Sequence, residues 1–441
     1  MVQPASDSTS HLGHCFLSNR LKSIACRWQL NCFPLSVPHR ILVSILLATS
    51  AWAQSSPLTL TRALELAQAN NPQLAVASAI ADGARAAITT AKARPNPEIN
   101  YLAGRQSITQ ISASPGALQH WGVSQLLELP AVRQSRLAVA EAGRQTTDFL
   151  LSETRLALRG AVKQAFYQAL RRRQEITLAE DNRRIVEDFE RRIRIQVEVG
   201  EAARLELIRA ETEVNTASAQ LRSAQLRYTT AIAQLRALLG VRADEDLNLQ
   251  GALDPALNLP PFTELRASAI SSHPSLGRLR ADVRRARAAL RNEETLRKPQ
   301  PTLLGEYERQ PDINYFRLGI SIPLPLLNKR QGPIAEAAAG IAQATASTSS
   351  LELQLASQLE RAYGEYQVAG QQVHAYEDGS LKEAEAALSA AQTAYRLGER
   401  GILEVLDAQR VLRSVRYDYL NAQFDRQSAR VELEQLRGSD F

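Results

Sequence analysis

An apolar stripe with heptad spacing occurs twice in this chain, 198 residues apart. The first copy runs through Leu207, Ala210, Val214, Ala217, Leu221 and Ala224 and on to Leu238; the second runs through Val405, Ala408, Leu412, Val415, Tyr419 and Ala422 and on to Leu436. Alternating steps of three and four make the seam of a coiled coil, so each stretch predicts a long helix packed lengthwise on a partner. Arg426 alone interrupts the second copy. Both stripes follow matching turns, GEAARLELIRA from Gly200 and GERGILEVLDA from Gly398, and both stop at a glycine, Gly240 and Gly438. Glycine is the chemistry expected at helix ends. The chain is therefore an internal duplication of a helical hairpin.

The partners of these helices lie upstream. Residues 131–199 contain no proline, and at about 1.5 Å per residue a helix of that length would reach about 100 Å. Globular helices run three or four turns, so such a length implies an elongated tube or coiled coil. The first repeat, 54–240, thus reads as short helices, a strand pair at about 97–129, a long helix at 131–199 and a returning helix at 201–240. A polar connector, 241–262, leads to the second repeat, 263–441, with a strand pair at about 301–325, a long helix at about 332–397 and a return at 399–437. Asn71-Pro72 and His273-Pro274 mark the same turn in both copies, and Pro95 and Pro97 answer Pro299 and Pro301. The helix before each strand pair and the returning helix sum to nearly the long one, which predicts that the two stack end to end beside it.

Residues 1–53 read differently. Ile41–Ala53, ILVSILLATSAWA, is a 13-residue apolar run after His39 and Arg40 that ends in Ala-Trp-Ala. That is the pattern of a secretory signal peptide cleaved between Ala53 and Gln54, and the run is too short to span a bilayer as a helix. A buried core helix is the alternative. The preceding 40 residues suggest an over-extended translation start. Removing 1–53 removes Cys15, Cys26, Cys32 and Met1, and leaves no cysteine for disulfides, thiolate ligands or a lipid anchor.

Strand pairs add the decisive constraint. A lone hairpin is marginal in water and leaves open edges. Phe316, Leu318, Ile320, Ile322 and Leu324 alternate on one face, as a lipid-facing strand should, and about ten residues suit an outer-membrane crossing. Four strands cannot close a barrel, so several chains must pool them.

Charge and side-chain chemistry exclude other classes. The formal charge of +6 comes from arginines scattered among glutamates, as in EDNRRIVEDFERRIR from Glu180, which is a solvated helix face rather than a nucleic-acid patch. His120, His273 and His374 stand apart from one another in sequence and make no metal-ligand spacing; His120 and His273 are expected at the surface. No enzyme, cofactor or metal site is expected.

Together these features resemble the TolC-like outer-membrane efflux proteins over residues 58–438. The wording is closest to the cobalt-zinc-cadmium efflux branch: NPQLAVASA from Asn71, ARPNPEI from Ala93, SQLLELPAVRQSRLAVAEA from Ser124 and GISIPLPLLNKRQGPIAEA from Gly319. The resemblance implies a mainly α fold with a small β part. Three chains would join their hairpins into a periplasmic α-barrel and their strands into a twelve-stranded barrel in outer-membrane lipid. It also implies a homotrimer served by a periplasmic adaptor protein and an inner-membrane RND-type transporter, with metal cations as cargo; organic compounds and type I secretion substrates are the alternatives. By the same resemblance, Val199, Gly200, Glu201, Leu397, Gly398 and Glu399 are adaptor-contacting tips, though any helical hairpin needs such a turn. Arg400 matches a gate-bridging arginine, and Glu404 and Asp407 match two acids that ring the tunnel constriction. The first copy has Glu206 and Arg209 there. Two solvent-facing acids on the hairpin exterior remain the other reading, and a channel-less coiled-coil protein is the rival for the whole chain.

Overall fold

The computed structural model describes residues 57–107, 114–242, 247–253 and 259–441. The proposed signal segment and the cysteines, together with parts of the connector, fall outside them. In chain order the elements are α1 Leu60–Asn70, α2 Pro72–Lys92, β1 Glu98–Gln106, β2 Gly116–Leu126, α3 Pro130–Glu198, α4 Arg204–Leu239, α5 Phe262–Ser272 and α6 Pro274–Thr295, followed by β3 Thr302–Arg309, β4 Asn314–Ser321, α7 Gln331–Ala375, a π-helical turn Tyr376–Ser380, α8 Leu381–Arg396 and α9 Ile402–Arg437.

At 69 residues α3 is the spine, about 100 Å long. In its upper part α2 and α6 pack on either side, and α7 packs on α6. In its lower part α4 lies on one side and α9 on the other, with α7 and α8 beyond α9. The helices thus form a single layer. The heptad stripe of α4 buries Ala210, Ala217, Leu221, Ala224, Ala231 and Leu235. On α9 the same stripe buries Val405, Leu412, Ala422, Ala429 and Leu433, while a second face with Leu420, Phe424 and Val431 joins Leu158, Val162 and Phe166 of α3 in the main core.

Each repeat closes on the same joint. Asn71 caps α2, its Oδ1 accepting from the Gln73 amide at 2.8 Å, while its Nδ2 donates to the Leu238 carbonyl at 2.8 Å. His273 caps α6 through Nδ1, which accepts from the Ser275 amide at 3.2 Å, and it interacts with the Gln435 backbone. Contrary to the surface placement expected for it, His273 is buried, and that burial holds its pKa below the ordinary imidazole value. Gly240 is obligatory here: its φ is +67°, and a Cβ would lie 2.6 Å from the Asn70 carbonyl oxygen.

The sheet is an antiparallel meander in the order β1-β2-β3-β4, which leaves β1 and β4 as open edges. β4 ends at Ser321 rather than near residue 325. Pro323 and Pro325 carry no N–H for a ladder, so Ile322 and Leu324 lie beyond the strand. His120 sits mid-strand and half-buried, not at a strand start on the surface.

The second long helix also departs from the expected single α-helix over 332–397. It widens into a π turn at Tyr376–Ser380 before continuing as α8. The distance from Ala142 to Gly200 is 58 residues (200 − 142), whereas Ala337 to Gly398 spans 61 (398 − 337). That surplus disturbs the heptad register, and the wide turn falls where Asp378 and Gly379 are poor helix formers.

Candidate functional site

The helix-side ends of the hairpins and the sheet are the two places where chemistry is displayed. At the first tip α3 ends in a Schellman motif: Gly200 has φ +82°, its N–H donates to the Val197 carbonyl at 3.2 Å, and the Glu201 N–H donates to Gln196 at 2.8 Å. The second tip repeats it. Gly398 has φ +74°, its N–H donates to Tyr395 at 3.0 Å and the Glu399 N–H donates to Ala394 at 3.0 Å. Open space surrounds both glycines, so backbone conformation rather than crowding requires them. Val199 and Leu397 cap the tips as apolar residues 64% and 68% exposed.

Behind the second tip, Arg400, Glu404 and Asp407 are all exposed, and none has a hydrogen bond or ion pair among the described residues. The two carboxylates share one face of α9, as i,i+3 spacing dictates. The structure therefore brings Glu404 and Asp407 together and leaves Arg400 apart from them in contact terms. In the first copy the matching Glu206 is half-buried and engaged. Its Oε2 accepts from the Tyr395 hydroxyl at 3.3 Å, and the Gln196 Oε1 lies 3.0 Å from the same hydroxyl. Burial first, then the Glu206 charge and hydrogen bond, push the Tyr395 pKa up to about 12. The Tyr395 ring also meets that of Phe189 at a tilt, with centroids 5.5 Å apart. This tie between the two repeats was not read from the sequence, and the only signal was an aromatic residue ending an otherwise small-residue helix.

The sheet separates two surfaces. Register places Tyr101, Trp121, Tyr307 and Phe316 abreast across all four strands on one face. Below that row lie Ile99, Val123, Leu318, Leu303 and Ile320, all strongly exposed. An apolar band ending in an aromatic row is how a transmembrane strand meets the bilayer interface. The eight residues of β4 rise about 27 Å along the strand at about 3.4 Å per residue, slightly short of the about 9–11 residues of a tilted outer-membrane crossing. The opposite face is polar: Arg317 pairs with Glu306 and Glu308 at 3.1 Å each, and His120 Nδ1 lies 3.8 Å from Glu308. No helix among the described residues is long and apolar enough to cross a membrane, and no group of three or more His, Cys, Asp or Glu among them is placed to hold a metal ion.

An exposed apolar sheet face above a 100 Å layer of helices, with both edges open, is the protomer of a membrane channel. Comparison with known proteins gives the same class. The family model for outer membrane efflux proteins matches residues 63–241 and again 265–439, so the chain belongs to that family. The cobalt-zinc-cadmium resistance protein CzcC of Cupriavidus metallidurans is 27% identical over 386 residues, covering 87% of this chain and 91% of that protein. The outer-membrane channel OprN superposes with a TM-score of 0.75 at 18% identity, covering 86% of this chain and 90% of OprN. The CusC structure gives 0.74 at 18% identity, with 86% and 92% covered. The protein is an outer-membrane efflux channel subunit with a mainly helical, duplicated fold and, among the described residues, four strands, and it is not an enzyme.

Proposed function

We propose that three copies close into one conduit and that its cargo is heavy-metal cations of the cobalt, zinc and cadmium kind. The observation that carries the assembly is the match of unsatisfied edges. β1 and β4 each leave a row of unpaired backbone groups, and α4 on one flank of the helix layer exposes Leu205, Ile208 and Leu226 while α7 on the other exposes Leu353 and Val368. Joining flank to flank pairs the strand edges and buries those side chains at once. Four strands a chain make twelve in a trimer. Cargo rests on the likeness to CzcC, whose name states cobalt, zinc and cadmium resistance.

In this reading the helical tube lies in the periplasm. The tips at Val199, Gly200 and Glu201 and at Leu397, Gly398 and Glu399 receive a periplasmic adaptor protein, which links the tube to an inner-membrane RND-type transporter. Glu404 and Asp407 form stacked acidic rings at the tube's narrow end, and Arg400 bridges the closed gate. A ring of carboxylates favours cations by charge while the transporter selects among them. The N-terminal signal segment directs export, is removed after Ala53 and leaves no lipid anchor; N-terminal sequencing of the mature protein checks this. The cargo is tested in a strain deleted for this gene by measuring cobalt, zinc and cadmium tolerance and cell-associated metal. Restored tolerance on re-expression is expected. A defect confined to organic toxic compounds would transfer the channel to a different pump.

A further inference from the structure

The short linkers that join the strands to the helices carry a net positive charge. Residues 92–98, 127–136, 293–301 and 322–330 hold eight Lys and Arg against four Glu. Two of those glutamates are already neutralised, Glu128 by Arg136 and Glu293 by Arg330. The side chains of Lys92, Arg94, Arg297, Lys298 and Lys329 are exposed and carry no carboxylate partner among the described residues. This collar sits at the helix-side edge of the apolar sheet band, the level at which lipid headgroups meet the protein.

Within the collar lies a cleft of about 420 Å3 lined by Pro95, Leu126, Leu127 and Pro130, by Gln125 and Glu128, the latter paired with Arg136, and by Arg94 and Arg133. The cleft is held in shape by Gln125, whose Nε2 donates to the carbonyls of Pro95 at 3.1 Å and Leu126 at 2.9 Å. Arg136 fixes the same wall, donating through Nε to Ala91 at 3.1 Å and through Nη2 to Ala93 at 2.8 Å. Arg133 donates only its Nε, to the Lys92 carbonyl at 3.0 Å, which leaves its terminal nitrogens for another acceptor; Arg94 donates nothing. Two guanidinium groups beside proline and leucine side chains fit a phosphate diester attached to acyl chains.

We infer that this cleft binds the headgroup of an anionic phospholipid from the inner leaflet of the outer membrane, one per chain. A neighbouring copy is the other candidate occupant. The part of a neighbour nearest β1 would be the stretch after its own β4, whose unpaired charge is Lys329, which repels Arg94 and Arg133 rather than complementing them. Near a membrane surface Lys and Arg favour anionic over zwitterionic lipid. The inference rests on the outer-membrane reading of the family and not on the cargo.

The test uses the purified full-length protein, delipidated in neutral detergent and titrated by native mass spectrometry with palmitoyl-oleoyl phosphatidylglycerol, the phosphatidylcholine of the same chains, or inorganic phosphate. One phosphatidylglycerol retained per chain is expected. In Arg94→Gln with Arg133→Gln, retention falls about tenfold or more, whereas Arg222→Gln, an exposed arginine on α4, leaves it unchanged. Equal retention of phosphatidylcholine, displacement by inorganic phosphate at matched concentration, or unchanged retention in the double variant would overturn the inference. A wild-type measurement covers the case of a variant that fails to fold. Amides of 92–98 and 127–136 exchange more slowly in phosphatidylglycerol nanodiscs than in phosphatidylcholine nanodiscs, and equal rates reject the site. Metal tolerance unaffected by deletion of the gene, with lipid retention intact, would count against the cargo alone.

Discussion

The two hairpins share a stripe, a tip and a joint, but they occupy different places in the layer. α4 buries one face and shows solvent the other, with Leu226 68% exposed. α9 buries two faces, one against α7 and α8 and one against α3, because the second repeat folds back on the spine of the first. The tips diverge accordingly. Glu206 is held by Tyr395 across the repeats, whereas Glu404 and Asp407 keep their carboxylates free. Duplication supplied two equal rods; the contact between them made one acid a structural tie and left the other's acids exposed and unpaired.

The largest effect should come from the buried tie between repeats. Lys163 of α3 meets Glu434 of α9 at 2.5 Å with both side chains under a tenth exposed, while Arg361, 198 residues on, meets Glu432 in the open. Lys163→Ala should cost about 3 kcal/mol in urea unfolding, since Glu434 stays buried with Arg430 alone. Next, Gly200→Ala and Gly398→Ala should each lose about 1–2 kcal/mol, and equally, because both tips force a left-handed residue in open space. Unequal losses would break the equivalence of the tips.

Tyr395→Phe should cost about 1 kcal/mol by removing the hydroxyl shared with Gln196 and Glu206. The sign with pH follows from the raised pKa. The neutral phenol is the form the fold favours, so its contribution is full below about pH 10, the unfolded value, and disappears as pH rises toward about 12. Thermal melts of wild type and Tyr395→Phe should therefore converge at the alkaline end. The smallest effect is Arg361→Ala, within about 0.5 kcal/mol, as expected for an exposed pair.

The periodic and local features were legible in sequence. Heptads predicted the helices, Gly200 and Gly398 the reversals, and Asn71-Pro72 and His273-Pro274 the paired joints. What escaped has a common cause: it depends on contacts between distant segments. β2 pairs with β3 across the two repeats, a register no local pattern encodes. The Tyr395–Glu206 bond joins residues 189 apart. His273 looked like a turn residue at the surface, and is buried because the end of α9 closes over it. The π turn at Tyr376–Ser380 reflects a register surplus that appears only when the two copies are set side by side.

The unequal tips make the central claim directly measurable in planar lipid bilayers under a potassium chloride gradient. Glu404→Ala with Asp407→Ala should lower cation over anion permeability and relieve block by divalent cations, whereas Glu206→Ala should leave the permeability ratio as in the wild type. Unchanged selectivity and block in the double variant, or an equal change from Glu206→Ala, would contradict the assignment of the conduit's acidic constriction to the second repeat.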